Sequence, residues 1–522
     1  MPIIEGPNSE GVTHCRDERL VGDSSVWSTI APCTDRLLRL NGVGQLVKPV
    51  TIGTLPDDAL LKIFKSFVDS TKFHGSASDE WHTLVHICRR WRYLAFTSPR
   101  HLNLQLLCKL PGRSVKQMPD IWPDLPIYIH AIGDLTTKKE RDDYAAALAL
   151  NHRISGIHFD KSDSAWEAFT PLMERPFPAL TYFWIRPPVP TKNPIPRFFL
   201  SGSAPGLQDL ILSDIPFPTL PELLLSTANL VRLQYNGIPR SGYISPQAMV
   251  AGLSALTRLQ SLSLTFESPK DFPDMAIRIP SPHTRTLLPA LTHLCLFGVP
   301  DYVEGLVAQI NAPSLRSVII LLFHQEVSDV SELATFVRHA DKLSFIDRAE
   351  VTFARGFICI ILSQEVLVGK VDPKTLVFKF PHIKWRTWPP YLAELWASCF
   401  LTPSPFEYLR MDSPDSSRDI IDDPDPQWLE LLRPFSAVKD LRLSRSAASR
   451  VAQALGRIPP ERVMEVLPAL EIVSISGLNP FGPVKEAICE FADARQLSGH
   501  PVSIHCEGEF TVGSKEMDRW GL

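Results

Sequence analysis

The segment LQDLILSDIP, residues 207–216, is one of four closely similar copies along the chain. The other three are LVRLQYNGIP (230–239), LTHLCLFGVP (291–300) and LEIVSISGLN (470–479). The spacing of the apolar residues in each copy predicts a short β-strand with one buried face. One fixed place in the four copies is always Asp or Gly, which predicts a turn with positive φ; these residues are Asp214, Gly237, Gly298 and Gly477.

Six looser copies extend this pattern: ISGIHF (154–159), LTYFWI (180–185), LQSLSL (259–264), LRSVII (315–320), FEYLRM (406–411) and VKDLRL (438–443). From residue 154 to residue 343, successive copies begin between 23 residues apart (207 to 230) and 32 residues apart (259 to 291). Helix-like pieces lie between them, for example LPELLLSTA (220–228), SPQAMVAGLSAL (245–256) and YVEGLVAQI (302–310). A strand, a tight turn and a helix in every ~20–30 residues predict a leucine-rich-repeat solenoid.

The repeats are irregular, because the Asn or Cys that usually follows the second strand leucine is absent. That place is taken by Ile215, Ile238, Val299 and Leu478. An ordinary α/β domain with leucine-rich strands is therefore the alternative interpretation. The turn residue shared by four copies favours the solenoid.

The bulk composition predicts a globular chain with more than one structural unit. Its 522 residues exceed the ~250–300 at which a single core stops growing. A formal net charge of −4 gives no basic footprint for nucleic acid. No apolar run approaches the ~18 residues that span a bilayer, and the polar N-terminus predicts no signal peptide. The nine cysteines are scattered and form no C-x-x-C pair, so we expect a cytoplasmic or nuclear protein without a disulfide framework.

Two strongly apolar segments, LPDDALLKIF (55–64) and DEWHTLVHICRRWRYLAF (79–96), precede the repeats, and we interpret each as a helix. Their large apolar residues cover more than the ~100° face of an ordinary surface helix. Two such helices in about forty-five residues bury too little surface to satisfy both faces alone. The pattern therefore predicts a binding partner. We expect the side chains that meet it to be solvent-accessible in the isolated chain: Leu55, Pro56, Ile63 and Phe64.

Together these segments resemble the F-box, the helical module by which substrate receptors dock on the Skp-type adaptor of SCF ubiquitin ligases. The matching residues are Leu55-Pro56, Leu60/Leu61, Ile63-Phe64 and Val85-x-x-Cys88-Arg89-x-Trp91-Arg92 with Leu94-Ala95. The connection DSTKFHGSASDE (69–80) is longer than is usual for the motif. Stretches such as GSAPGLQDLILSDIPFPTLPELLLS and WLELLRPFSAVKDLRLS resemble the expanded F-box family of mushroom-forming (basidiomycete) fungi, and this resemblance covers most of residues 51–505.

The repeats and the resemblance together imply an α/β chain, in which a short helical F-box module is followed by an irregular leucine-rich-repeat-like solenoid. We expect five regions. They are a largely disordered N-terminal segment (1–50), the F-box module (51–98), a connecting segment (99–130), the solenoid (131–505) and a C-terminal tail (506–522).

The resemblance implies a non-catalytic substrate-recognition subunit of an SCF-type ubiquitin ligase. Its partners would be a Skp-type adaptor, a cullin reached through that adaptor, and an unknown substrate protein. The residues predicted to bind the adaptor or to support that surface are Leu55, Pro56, Leu60, Ile63, Phe64, Val85, Cys88 and Trp91. The predicted substrate contacts are outward strand positions: Gln208, Arg232, Gln234, His293 and Arg442, with Ile211, Cys295 and Ser474 in equivalent places. The alternative is a repeat scaffold outside any ligase, with a vestigial F-box.

No catalytic motif competes with this interpretation. The chain has no nucleophile elbow, phosphate-binding loop or dinucleotide fingerprint, so we expect no enzyme activity and no cofactor. The histidine pair of HTLVH (82–86) lacks the middle Glu of a zinc-protease helix, and we expect no metal there. The aromatic segment KWRTWPPYLAELWASCF (384–400) is either repeat core or an exposed anchor for a bound protein. Four cations could bind phosphate on a substrate or could be ordinary surface charge: Lys439, Arg442, Arg445 and Arg450.

Overall fold

A computed structural model describes much of the chain. The described residues are 52–70, 81–99, 101–110, 125–132, 137–160, 170–187, 194–268, 272, 285–323, 331–340, 347–354, 357–363, 375–381, 406–413, 427–476 and 482–507. Several predictions concern residues outside these ranges: those on residues 1–50, on the connection at 71–80, on the aromatic segment 384–400, on Gly477 and on the tail from residue 508. The chain divides into two compact units, Met1–Leu60 and Leu61–Leu522.

The described part of the first unit leads into helix α1 (Asp57–Ser70) through a 3-10 turn at Ile52–Thr54. The carbonyl oxygen of Pro56 accepts the N–H groups of Ala59 and Leu60, each at 3.1 Å. Because proline has no N–H of its own, it is well tolerated at this entry into a helix. Asp57 and Asp58 occupy the first turn, where the positive end of the helix dipole favours carboxylates.

The second unit alternates strands and helices. After α1, its described helices are α2 (His82–Ile87), α3 (Arg89–Thr97), α4 (Lys138–Leu148), α5 (Leu220–Leu224), α6 (Pro246–Leu253), α7 (Pro300–Val307), α8 (Ser331–Arg338), α9 (Gln427–Leu432), α10 (Arg445–Leu455) and α11 (Pro483–Leu497). Its described strands are β1 (Leu106–Leu110), β2 (Ile127–Ile132), β3 (Ile154–Asp160), β4 (Tyr182–Arg186), β5 (Asp209–Ser213), β6 (Arg232–Ile238), β7 (Ser261–Phe266), β8 (Thr286–Leu287), β9 (His293–Gly298), β10 (Ile310–Asn311), β11 (Ser317–Leu322), β12 (Arg348–Ala354), β13 (Phe357–Ser363), β14 (Thr375–Pro381), β15 (Tyr408–Asp412), β16 (Asp440–Leu443), β17 (Ile472–Ser476) and β18 (Ser503–Glu507).

Sixteen of these strands form one sheet in the order β1-β2-β3-β4-β5-β6-β7-β9-β11-β14-β13-β12-β15-β16-β17-β18, and β8 pairs separately with β10. Pairing is parallel from β1 through β11 and again from β15 through β18. Strands that follow one another in the chain therefore lie side by side. Each strand, with the segment that returns to the next one, adds one layer of a repeat.

A continuous row of aliphatic side chains forms the core along one face of this sheet. Leu210, Leu233, Leu262, Leu294 and Val318 are paired in register from β5 to β11 and are all almost completely buried. Burial of a leucine-sized side chain stabilises a fold by roughly 1.5–3 kcal/mol, and here one such residue recurs in every strand. The recurring leucine is thus the main sequence determinant of the sheet.

All ten copies of the repeat pattern are confirmed as strands of the one sheet; they become β3, β4, β5, β6, β7, β9, β11, β15, β16 and β17. Three predicted helical pieces are also helices, at α5, α6 and α7. The second unit is thus a mixed α/β structure built on a long, mainly parallel sheet, consistent with a repeat solenoid.

The positive φ predicted for the shared turn residue is confirmed in two copies and wrong in a third. Asp214 and Gly237 both have φ of 58°. Gly298 does not have positive φ, and a different constraint selects glycine there. A Cβ at Gly298 would lie 3.2 Å from the ring of Phe272 and 3.4 Å from that of Phe266, so this glycine allows close aromatic packing.

Two predicted boundaries are wrong. The connecting segment 99–130 contributes β1 and the beginning of β2 to the sheet, which therefore starts at Leu106 and not at residue 131. The sheet also continues to Glu507, two residues into the predicted tail. The strand LLCKL was not predicted, because it lies in a proline-rich segment and is too short to show a clear periodicity.

Two further features differ from the sequence prediction. The segment 79–96, predicted as one helix, is interrupted at Cys88, whose backbone is extended with φ −156° and ψ 168°. In addition, β12, β13 and β14 form an antiparallel meander inserted in reverse order, so that β14 pairs with β11 and β12 with β15. No repeat copy was predicted for these three strands.

Candidate binding surfaces

The helical module, α1 to α3, holds most of the residues that match the F-box motif. Within the second unit, Ile63 on α1 is 42% exposed, whereas Phe64 is fully buried. The ring of Phe64 packs against Trp91 on α3, with the two ring centroids 4.7 Å apart. The expectation that Phe64 would be accessible is therefore wrong, because the module uses this side chain for its own core.

The break between α2 and α3 is fixed by local hydrogen bonds. Cys88 caps α3, since its Sγ accepts the N–H of Trp91 at 3.5 Å. The Nε of Arg92 donates to the carbonyl oxygen of Val85 at 2.8 Å and so links the two helices. Val85 and Trp91 are buried while Cys88 is exposed. The match V-x-x-C-R-x-W thus encodes a capped turn between two short helices.

The remaining predicted adaptor residues lie in the first unit and differ in exposure. Pro56 is exposed, Leu55 is half-buried and Leu60 is fully buried. The accessibility expected of Pro56 is confirmed, and that expected of Leu55 is only partial. No accessibility was expected for Leu60. Since a fully buried side chain cannot meet a partner directly, Leu60 is not itself a contact residue.

Other apolar side chains on α2 and α3 are more exposed than those the motif singled out. Ile87 is 57% exposed, Tyr93 67% and Phe96 38%. The motif match selected none of these three side chains.

The second candidate surface is the face of the sheet opposite the aliphatic core row; we call it the outward face. In register from β5 to β11 it carries Asp209, Arg232, Ser261, His293 and Ser317. Every second residue further along each strand belongs to the same face. The predicted substrate contacts Arg232, Gln234, His293 and Arg442 all belong to this face, while Gln208 is exposed just before β5.

Two positions expected to be accessible on the outward face are buried, namely Ile211 and Ser474. Ile211 joins an apolar cluster with Leu107, Tyr128 and Tyr182, against which Trp184 packs. Alternation along a strand therefore assigned the correct face but did not predict accessibility on it.

The first strands present an aromatic and histidine cluster on the outward face. His130 and His158 are paired in register, with ring centroids 4.4 Å apart, and His158 lies edge-on to Trp184 at 3.6 Å. Burial, and then the neighbouring His130, lowers the pKa of His158 to about 3. Burial also lowers the pKa of His130, and Lys109 lowers it further, against an opposing effect of Asp160. Both imidazoles are therefore neutral near pH 7.

The last strands present compensated charges around Tyr408. The guanidinium carbons of Arg348 and Arg442 lie 4.9 and 5.3 Å from the centre of its ring. Arg442 also pairs with Asp440 at 3.3 Å, and Arg410 with Asp412 at 3.7 Å. Cation–π contacts and partly exposed ion pairs of this kind are each worth about 1 kcal/mol or less. Arg442 is thus held by the protein itself.

The middle strands hold a looser arrangement. Arg232 pairs with Asp209 at 3.4 Å, and Nδ1 of His293 lies 2.8 Å from the hydroxyl of Thr292. The positions around them are polar but uncharged: Gln234, Asn236, Ser261, Ser263 and Cys295. These residues can donate and accept hydrogen bonds to a bound protein without breaking a strong internal contact.

No described group of three or more His, Cys, Asp and Glu side chains could hold a metal ion. Nor does any helix of the described ranges combine the length and the apolar character that a bilayer crossing requires.

Comparisons with known proteins add little to this description. No protein-family model matches the chain, and no curated protein matches it. Among solved structures, the chain is similar to the leucine-rich repeat-containing protein LegL7 from Legionella pneumophila. The two share 15% sequence identity with a TM-score of 0.23, over 76% of this chain and 98% of that chain. A likeness this weak carries no argument, so the repeat architecture stands on the sheet itself.

Proposed function

We propose that this chain is the non-catalytic substrate-recognition subunit of an SCF-type ubiquitin ligase, a protein of the F-box and leucine-rich-repeat type. Its helical module would dock on a Skp-type adaptor, which connects it to a cullin, and its sheet would bind a substrate protein. Catalysis would come from the partners. The chain itself would raise the local concentration of substrate near the ubiquitin-loaded enzyme.

The observation that carries this proposal is the exposed apolar surface of the helical module. Of the nine large apolar side chains that are exposed among the described residues, four lie on three short helices: Ile63, Ile87, Tyr93 and Phe96. Four exposed large apolar side chains on one small module favour an interaction site over isolated surface exposure. The exposed Arg89 and Arg92 beside them would favour an acidic partner.

The module also has the internal order that a docking surface needs. The Phe64–Trp91 contact and the Cys88 cap hold α1 and α3 before any partner arrives. A preformed surface loses less conformational entropy on binding. The buried members of the predicted set, Phe64, Val85 and Trp91, would therefore support this surface, and Ile63 would contact the adaptor.

The test is the affinity of the full chain for a purified Skp-type adaptor, measured for wild type, Ile63→Ala and Phe198→Ala. Phe198 is a matched control, since it is 64% exposed but lies in the repeat region. Removal of an interface anchor costs roughly 2 kcal/mol or more, so Ile63→Ala should weaken binding about thirtyfold and Phe198→Ala should not.

Equal affinities for wild type and Ile63→Ala would reject the assigned surface. Absence of adaptor binding by the folded wild-type chain would reject the ligase function. It would favour the alternative, a repeat scaffold outside any ligase whose F-box is vestigial.

A further inference from the structure

An apolar strip crosses the outward face of the sheet where the antiparallel meander joins the repeats. The core residue Val318 on β11 pairs with Leu376 on β14, which pairs with Leu362 on β13, and all three are fully buried. The outward face therefore continues from β11 to β13 at the alternate positions of these strands. From β9 to β13 its large apolar side chains are Phe297, Ile319, Leu321, Val377, Ile361 and Phe357.

Most of this strip is open to a partner. Five of its six side chains are half-buried, and only Val377, near the middle, is buried. Neighbouring strands lie about 4.8 Å apart, so four strands make the strip roughly 15 Å wide. Side chains on one side of an extended polypeptide repeat about every 7 Å, so two or three of them fit across the strip.

Polar side chains border the strip on both sides. The outward residues on β7 are Ser263 and Thr265, and those on β12 are Glu350 and Thr352. An apolar centre with few charges and a polar rim is the usual composition of a protein-binding surface. The strip therefore has the composition of the centre of an interface.

One cation lies within the strip. Lys379 on β14 pairs in register with Leu321 on β11 and with Cys359 on β13, and its Nζ lies 4.1 Å from the centre of the Phe357 ring. Partial burial lowers the pKa of Lys379, and Cys359 opposes this shift. A lysine has an ordinary pKa of ~10.4, and contact with a ring face favours the ammonium. This half-buried side chain is therefore charged at pH 7.

That charge has no carboxylate beside it in the described part of the chain. Lys379 makes no ion pair or hydrogen bond with any described residue, whereas Arg410 and Arg442 on the same face each pair with an aspartate. A partly desolvated ammonium gains a strong hydrogen bond when a carboxylate reaches it. The strip thus combines apolar contact with one specific place for a negative charge.

We propose that this strip binds an extended segment of the substrate protein with large apolar side chains at alternate positions and one carboxylate, which pairs with Lys379. The inference rests on the proposed function, because it names the chemistry of the segment that the receptor binds. The apolar side chains supply most of the contact area, and the carboxylate fixes the position of the segment. Further carboxylates would lie against apolar side chains without a partner, which is unfavourable.

The experiment uses the full chain and three labelled nine-residue peptides. The first alternates leucine and serine, begins and ends with leucine, and has glutamate in place of the central leucine. The second has glutamine at that place, and the third keeps the glutamate but has serine at every leucine position. We expect the first to bind, the second to bind about tenfold more weakly, as for loss of one charge-assisted hydrogen bond, and the third not to bind.

Variants of the chain assign these effects to the strip. Lys379→Met should bind the glutamate and glutamine peptides equally, whereas Lys379→Arg should keep the preference for glutamate. Ile319→Ser should weaken binding of both leucine peptides about tenfold. Lys109→Met is the matched control, because Lys109 is an exposed lysine on the same face but on β1, and its loss should change neither affinity.

Four results would overturn the site. They are no binding of the glutamate peptide, equal binding of the third peptide, equal affinity of the wild-type chain for glutamate and glutamine, and equal effects of Lys379→Met and Lys109→Met. The wild-type comparison needs no variant, so it remains decisive where a variant does not fold. Sedimentation supplies a further test: a wild-type dimer that Ile319→Ser dissociates would assign the strip to a second copy of the chain.

Adaptor binding, measured on the same preparations, separates the two ideas. A chain that binds the adaptor but not the glutamate peptide would keep the proposed function and lose this site. A chain that binds the peptide through Lys379 but not the adaptor would keep the site and lose the ligase role.

Discussion

At the scale of single residues, His158 connects burial to a measurable pH dependence. Its imidazole is packed between His130 and Trp184, and its pKa is lowered to about 3 in the folded chain, against ~6.5 when unfolded. The unfolded chain therefore binds more protons between these two values. By linkage, the stabilisation from neutral His158 is complete above pH ~6.5 and is lost as the pH falls toward 3.

We accordingly expect His158→Phe to reduce the fall in thermal unfolding midpoint between pH 7 and pH 4, because an unprotonatable ring replaces the imidazole. The measurement is the midpoint as a function of pH for both proteins. His152→Asn, a change at an exposed histidine, serves as the control. Parallel pH profiles for wild type and His158→Phe would contradict the assigned role.

The exposure of a single residue can be predicted from sequence only where local sequence determines it. Ile63 was selected because it matches a motif, and it is exposed as expected. Phe64 was selected for the same reason but is buried. Its burial depends on the tertiary contact with Trp91, which the motif does not specify. Which outward positions stand side by side, such as Arg232, Ser261 and His293, depends on the register of β6, β7 and β9. Register between strands is a long-range property that one sequence does not reveal.

At the scale of elements, one side chain joins the helices of two successive repeats, α7 and α8, by capping the second of them. The carboxylate of Glu304, on α7, accepts the N–H of Glu332 at 2.9 Å and that of Leu333 at 3.2 Å, at the start of α8. Two donors that a helix start leaves unpaired are thereby satisfied by the preceding repeat. The negative charge also faces the positive end of the α8 dipole.

Glu304→Ala should therefore destabilise α8 by about 1 kcal/mol, the typical effect of removing a helix cap. The readout is amide hydrogen exchange, which should become faster in Ser331–Arg338 and stay unchanged in α10. Glu304→Gln keeps an oxygen acceptor and should show a smaller change. Uniform acceleration across all helices would instead indicate a global effect on the second unit.

Elements were predictable where one local pattern determines them. All ten leucine-containing copies become strands, because the buried aliphatic row repeats the same requirement in each layer. The meander of β12, β13 and β14 breaks the repeat, and nothing in its local sequence specifies reverse insertion. The break between α2 and α3 at Cys88 was not predicted for a related reason. Its flanking residues are all compatible with helix, and the Sγ cap becomes visible only in the structure.

At the scale of the whole second unit, the two edges of the long sheet are in different environments. The first strand, β1, is covered: Leu106, Leu107 and Cys108 are buried, and the indole N–H of Trp81 donates to the carbonyl oxygen of Gln105 at 2.9 Å. At the other edge, β18 pairs with β17 and with no further strand among the residues that the structure describes, and its His505 and Cys506 are exposed. In a repeat array, stability is approximately a sum of nearest-neighbour terms, so a terminal layer with exposed side chains opens most easily.

We therefore expect amides of β18 to exchange hydrogen at least tenfold faster than amides of β1 in the wild-type chain, a difference of about 1.4 kcal/mol in opening free energy. Trp81→Ala should remove most of this asymmetry. It takes a fully buried indole from the layer that covers β1, a change that costs about 3 kcal/mol or more, while leaving β17 and β18 untouched. Tyr93→Ala, at a side chain of the same module that is 67% exposed, should leave exchange in β1 unchanged.

Equal exchange at both edges of the wild-type sheet would show that the helical module does not stabilise the repeats. A selective effect of Trp81→Ala on β1 and β2 would mean that α2 and α3 both present the exposed apolar surface and stabilise the first strands. Variants that test adaptor binding must then keep Trp81, so that a loss of binding is not caused by opening of the sheet edge.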